Sequence, residues 1–139
     1  MENFTFEEFQ NFLNENRNFY SKAHQDAAFK LASALLHKIK ELKLNYQMLF
    51  QTRINETDDL SSRIDIILTE PNSSKIVMMI DVTTEKNKKL AFERLRNIQL
   101  TNNNAMSSEI FVFCYDSVSD SWYKKSLSEN FDDLNLLIN

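Results

Sequence analysis

A chain of 139 residues, 42% hydrophobic and 26% charged, is sized and composed for one globular domain with its own core. Its net charge of −4 argues against a protein that coats nucleic acid through general basicity, yet leaves room for a local acidic metal site. The complete absence of glycine excludes Walker-type and dinucleotide-type phosphate loops, whose backbone must approach the phosphate without a Cβ in the way.

The first residues, Met1-Glu2-Asn3-Phe4, carry no basic stretch leading into an apolar one, so no signal peptide is expected. Thr5 to Glu8 reads as a capping box, with Phe4 and Phe9 placed for a hydrophobic staple. Phe6, Phe9 and Leu13 then form one apolar stripe, which predicts a helix over about 6–17. Ser21 is a good N-cap for a second helix. Ala28, Leu31, Leu35, Ile39 and Leu42 recur at helical spacing and carry it to Leu42. His37 falls late on it, where the helix dipole favours a cation.

The period then changes. Asn45 to Ile54 is aromatic, aliphatic and β-branched, which predicts a strand, followed by the polar turn Asn55 to Asp59. Arg63 to Thr69 is a second strand. Glu70-Pro71-Asn72-Ser73-Ser74 is a turn holding the only proline. Lys75 to Thr83 is a third strand, apolar on both faces and so expected in the sheet centre. Its apolar run Ile76-Val77-Met78-Met79-Ile80 is far short of the about 20 residues a membrane span needs. Short turns between these strands imply an antiparallel meander.

Lys88 to Thr101 is helical, with Ala91, Phe92, Leu95 and Ile98 on its inner face. Glu109 to Tyr115 is a fourth buried strand, and Trp122 to Leu127 reads as an edge strand before the apolar tail Leu134 to Ile138. The single cysteine, Cys114, reads as a small core residue. One cysteine builds neither a disulfide nor a thiolate zinc site within the chain, and fits a cytoplasmic, reducing setting. The expectation is one α/β (α+β) domain over 1–139, with a helical part at about 4–43 and a sheet core at about 45–127.

Asp65 and Asp81 carry the chemistry. Each is a carboxylate set in a strongly apolar strand, where a buried charge is costly unless paired or bound to a cation. On consecutive strands joined by a short turn the two can lie side by side. There they repel unless a proton or a metal intervenes, and a hard divalent cation suits oxygen ligands of this kind.

The segment Arg63-Ile64-Asp65-Ile66-Ile67-Leu68, a turn, then Ile76 to Thr83, resembles the PD-(D/E)XK nuclease signature. The order of helix, three strands, helix and strand from Ala23 to Tyr115 is similar to that family's core. The resemblance implies a restriction-endonuclease-like α-β-β-β-α-β fold with a mixed central sheet and an extra N-terminal helix. It implies Mg²⁺ or Mn²⁺ as cofactor and DNA or RNA as partner. Asp65 falls on the first acidic position and Asp81 on the second. Thr83 stands where the family has lysine, and threonine cannot supply that positive charge. Some branches take the lysine from the following helix, which makes Lys86, Lys88 and Lys89 candidates, with Arg94 and Arg96 later on that helix. His24 and Asp26 sit where the family often adds a ligand before the sheet, and a histidine there is similar to viral cap-snatching endonucleases. Arg63, Arg94, Arg96 and Gln99 are candidate nucleic-acid contacts.

Two functional readings stay open. One is a metal-dependent phosphodiesterase with a displaced lysine. The other is a catalytically inactive module of the same fold that binds nucleic acid or a protein partner, with a homodimer compatible with either. In a third, structural reading, Asp65 and Asp81 simply pair with Arg63, Arg53 or a lysine at the sheet edge.

Overall fold

The computed structural model describes residues 2–16, 22–53, 63–115 and 124–125. In chain order these give β1 (Glu2–Phe4), α1 (Phe6–Glu15), α2 (Lys22–Glu41), β2 (Gln47–Arg53), β3 (Arg63–Thr69), β4 (Ile76–Thr84), α3 (Lys88–Thr101), β5 (Glu109–Tyr115) and β6 (Lys124–Lys125). One mixed sheet runs in the order β1-β2-β3-β4-β5-β6. Strands β2, β3 and β4 are the antiparallel meander, and β5 lies parallel to β4 after the α3 crossover. The protein is therefore of mixed α/β class, with four principal strands flanked by two short ones. Among the described residues, no helix is long and apolar enough to cross a membrane.

Thr5 caps α1 by accepting from the Glu8 backbone N–H at 3.2 Å. The reciprocal half of the expected capping box is replaced by a bond from the Thr5 hydroxyl to Glu8 Oε1. The residues before Thr5 form β1 and pair with β2, so Glu2 to Phe4 enter the sheet, where the sequence suggests only a lead into the helix. Helix α2 ends in a Schellman motif. The Leu44 N–H bonds the Ile39 carbonyl, the Lys43 N–H bonds the Lys40 carbonyl, and Lys43 takes a φ of 54°. In a chain without glycine, lysine occupies the left-handed position. Leu42, expected on the inner stripe, lies just past this end and is exposed.

The sheet is covered on both faces. Helices α1 and α2 pack through Phe9, Leu13, Leu31 and Leu35 on Phe50, Ile66, Ile80 and Phe113. Helix α3 packs through Leu95 and Ile98 on Ile67, Met79, Ile110 and Val112. The Phe9 and Phe50 rings stack with centroids 4.9 Å apart, so these phenylalanines are core, and Cys114 is buried as expected. The turn at Asn55 to Asp59, the Ser21 cap and the apolar tail lie outside the described residues.

Along β3, Ile66 and Leu68 face the α2 side while both Ile64 and Ile67 join the α3 side. Regular alternation would put Ile64 with Ile66. The pleat is thus broken at Asp65. Its neighbour in β2, Gln51, holds a φ of 46°, in the left-handed region, in mid-strand.

Candidate active site at the β3–β4 fork

The β3–β4 ladder runs from Thr69↔Ile76 to Ile66↔Ile80, and the next pair in that register is Asp65 and Asp81. Beyond Ile66 the strands part. Strand β3 stays with β2 through Thr52↔Ile64, and β4 stays with β5 through Asp81↔Val112. A fork of this kind leaves backbone N–H groups without ladder partners. The two carboxylates serve them. Asp65 Oδ2 accepts from the Val82 N–H at 2.8 Å, and Asp81 Oδ1 accepts from the Asp65 N–H at 3.1 Å.

The other two carboxylate oxygens are also engaged. Gln51 Nε2 donates to Asp65 Oδ1 at 2.7 Å, and Arg94 Nη2, from α3, donates to Asp81 Oδ2. On the α2 side, His24 Nε2 lies 3.8 Å from Asp65 Oδ2. Asp65 is 5% exposed and Asp81 6%, so neither charge is stabilised by bulk water. Burial lifts the Asp65 pKa, against the bonds from Val82 and Gln51 and the Arg94 charge. Burial also pushes Asp81 up to about 6, with Arg94 pulling it down and Asp65 pushing it further up. The same burial lowers His24 to about 4, against the attraction of Asp81, which leaves the imidazole neutral at pH 7.

These shifts have opposite consequences for stability. An unfolded histidine takes a proton near 6.5, whereas folded His24 does so only near 4, so stability present above 6.5 is lost as pH falls through that window. Folded Asp81 holds its proton up to about 6 against 3.8 for the ordinary group, so stability present below about 4 is lost as pH rises toward 6. Between the two limits they offset each other. In metal-free buffer His24→Gln should therefore gain on the order of 2 kcal/mol relative to wild type when the pH is lowered from about 7 to about 5. Urea midpoints at the two pH values measure this, and parallel behaviour of the two proteins would show that burial does not hold His24 neutral.

Of the residues singled out in the sequence, the structure brings Asp65, Asp81, His24 and Arg94 together. Thr83 is half-buried on β4, in register with Cys114. Asp26 is exposed on α2. Lys86 and Lys89 are exposed and Lys88 half-buried, on the turn and first residues of α3 that follow the Asp81 end of β4. Arg63 donates to the Gln51 carbonyl at 2.9 Å and lies over the Phe12 ring. Arg96 is exposed, and Gln99 donates to the Ser108 carbonyl at 2.6 Å, holding the turn before β5. Thr84 precedes the 3₁₀ turn at Glu85–Asn87 and makes no side-chain capping bond. His37 pairs at 3.7 Å with Glu41 near the exposed end of α2.

Gln51 is the component that sequence reading missed. It is 0% exposed, and its Oε1 has no hydrogen-bond partner among the described residues. A glutamine in a strand reads as one polar position among alternating residues, and only its place across from Asp65 distinguishes it.

No protein-family model matches the chain, and no curated protein matches it.

The donor set suits a hard cation in three respects. Both carboxylates are buried and abreast, each oxygen accepts a single protein hydrogen bond, and a buried amide oxygen stands unsatisfied next to them. Among the described residues there is no group of three or more His, Cys, Asp or Glu side chains placed to hold a metal. Any cation here would draw on two carboxylates and on donors of another kind.

Proposed function

We propose that this chain is a restriction-endonuclease-like domain acting as a Mg²⁺- or Mn²⁺-dependent phosphodiesterase on DNA or RNA, with Arg94 in place of the family's lysine. The observation that carries this reading is the pair Asp65 and Asp81, buried abreast where the β3–β4 ladder opens, with a guanidinium already seated on Asp81. Asp65 and Asp81 would hold the cation, with the neutral imidazole of His24 beside them. When bound, the cation supplies charge neutralisation and Lewis acidity for attack on phosphorus.

The remaining work falls to the chain's own side chains. Arg94 is 29% exposed, so its guanidinium has a route from Asp81 toward solvent. Its planar fork matches phosphate oxygens and stabilises charge developing there, which Thr83 cannot do. Lys86 and Lys89, both exposed just after β4, would meet the phosphates of a longer substrate. The hydrogen bonds from Gln51 and Val82 fix the Asp65 carboxylate, so it need not reorganise when the substrate arrives.

A second reading has its own observation. The Arg94–Asp81 ion pair already neutralises one buried carboxylate, as it would in an inactive module of this fold that binds nucleic acid or protein. Cleavage of labelled DNA and RNA by wild type and Asp81→Ala, with and without Mn²⁺, separates the two. Mn²⁺-dependent cleavage lost in the variant supports the enzyme, and no cleavage by either protein supports the module.

A further inference from the structure

We infer that Gln51 belongs to the cation site and supplies it with an amide oxygen, an inference that rests on the metal-dependent reading of Asp65 and Asp81. The pairs Phe50↔Ile66 and Thr52↔Ile64 on either side place Gln51 directly across β3 from Asp65. Three polar residues of neighbouring strands, Gln51, Asp65 and Asp81, therefore stand in one row across the fork. Gln51 reaches that place with φ 46°, a conformation that β-strands avoid and that side chains other than glycine adopt at a cost. The Arg63 guanidinium holds the Gln51 carbonyl in this geometry.

The side chain is used on one end only. Nε2 donates to Asp65 Oδ1 at 2.7 Å, which sets the plane of the amide. Oε1 shares that plane, is fully buried, and has no hydrogen-bond partner among the described residues. Buried amide oxygens without a partner are uncommon, because the lost hydration is not returned. Beside a carboxylate pair that has no third His, Cys, Asp or Glu grouped with it among the described residues, the missing partner is a hard cation or the water it carries. A carboxamide oxygen is a normal ligand for such ions and adds no further negative charge to an already crowded site.

The test is Mn²⁺ binding by the full chain, followed by calorimetry and by the Mn²⁺ electron paramagnetic resonance signal, for wild type, Gln51→Leu, Gln51→Glu and Asp65→Ala. Gln51→Leu is expected to weaken Mn²⁺ binding by about tenfold or more. Gln51→Glu is expected to melt below wild type in chelator, because it adds a third buried carboxylate, and to show a larger Mn²⁺-induced rise in Tm than wild type. A residue that served packing alone would give the first of these changes without the second. Wild-type affinity in Gln51→Leu, with binding lost in Asp65→Ala, would overturn the role of Gln51 and leave the metal reading standing. Absence of Mn²⁺ binding by wild type would overturn both. Should Gln51→Leu fail to fold, Gln51→Glu decides, and a Mn²⁺-induced rise no larger than wild type's would reject the inference.

Discussion

Replacing Arg94 with alanine is expected to destabilise the protein by about 3–5 kcal/mol in metal-free buffer near neutral pH. The guanidinium is the one positive charge bonded to Asp81 among the described interactions, and Asp81 faces Asp65 across the fork with both residues buried. Without Arg94 the site holds like charges in a setting that disfavours even one of them. The sign with pH follows. Asp81 is already raised to about 6, and loss of Arg94 raises it further, so the variant should regain stability as pH falls toward about 5 and a proton takes the place of the guanidinium. Millimolar Mn²⁺ at neutral pH should recover part of the loss in the same way. Chemical unfolding at two pH values, with and without Mn²⁺, measures all three effects. A loss within about 0.5 kcal/mol of wild type at neutral pH would show that the buried pair does not depend on Arg94.

The second large effect is on activity. Asp81→Ala is expected to reduce Mn²⁺-dependent cleavage by about a hundredfold or more. Its fold should survive. The substitution removes one of two mutually repelling carboxylates, and Arg94, partly exposed, can turn to water. The bond lost to the backbone is the one Asp81 Oδ1 accepts from the Asp65 N–H, while the one Asp65 Oδ2 accepts from the Val82 N–H stays and continues to tie the fork. Cleavage assays on single- and double-stranded DNA and on RNA, beside far-ultraviolet circular dichroism, separate loss of chemistry from loss of structure. Retention of full activity would remove Asp81 from the mechanism.

Much of this arrangement is legible in the residues themselves. Strands β3 and β5 and helix α3 begin and end where their apolar patterns predict, because Arg63, Lys88 and Glu109 each open a run rich in apolar residues that a polar segment closes. The juxtaposition of Asp65 and Asp81 is also foreseeable, since a hairpin with a short turn sets its own register. Strand β1 escapes notice because three residues show no alternation, and their pairing with β2 is decided by the sheet rather than locally. The partner of Asp81 is a different case, one of several basic residues that the sequence offers without choosing among them. Arg53, Arg63 and nearby lysines are the obvious candidates along the chain, but Arg63 turns to the Gln51 carbonyl. Arg94 reaches Asp81 because α3 packs on β4, a tertiary fact with no local signature. Gln51 depends on a left-handed backbone in mid-strand, which no propensity suggests for glutamine.

The central claim, that Asp65 and Asp81 form a divalent-cation site, is tested most directly by thermal unfolding of wild type and Asp65→Ala with and without millimolar Mn²⁺. Neither substrate nor sequence preference needs to be known. A ligand at about 100 times its Kd stabilises by ~2.7 kcal/mol, which for a chain of this size raises Tm by several degrees. The expected result is such a rise in wild type and none in Asp65→Ala. An unchanged Tm in wild type, or an equal rise in both proteins, would contradict it and leave the two aspartates as structural residues that tie the β3–β4 fork.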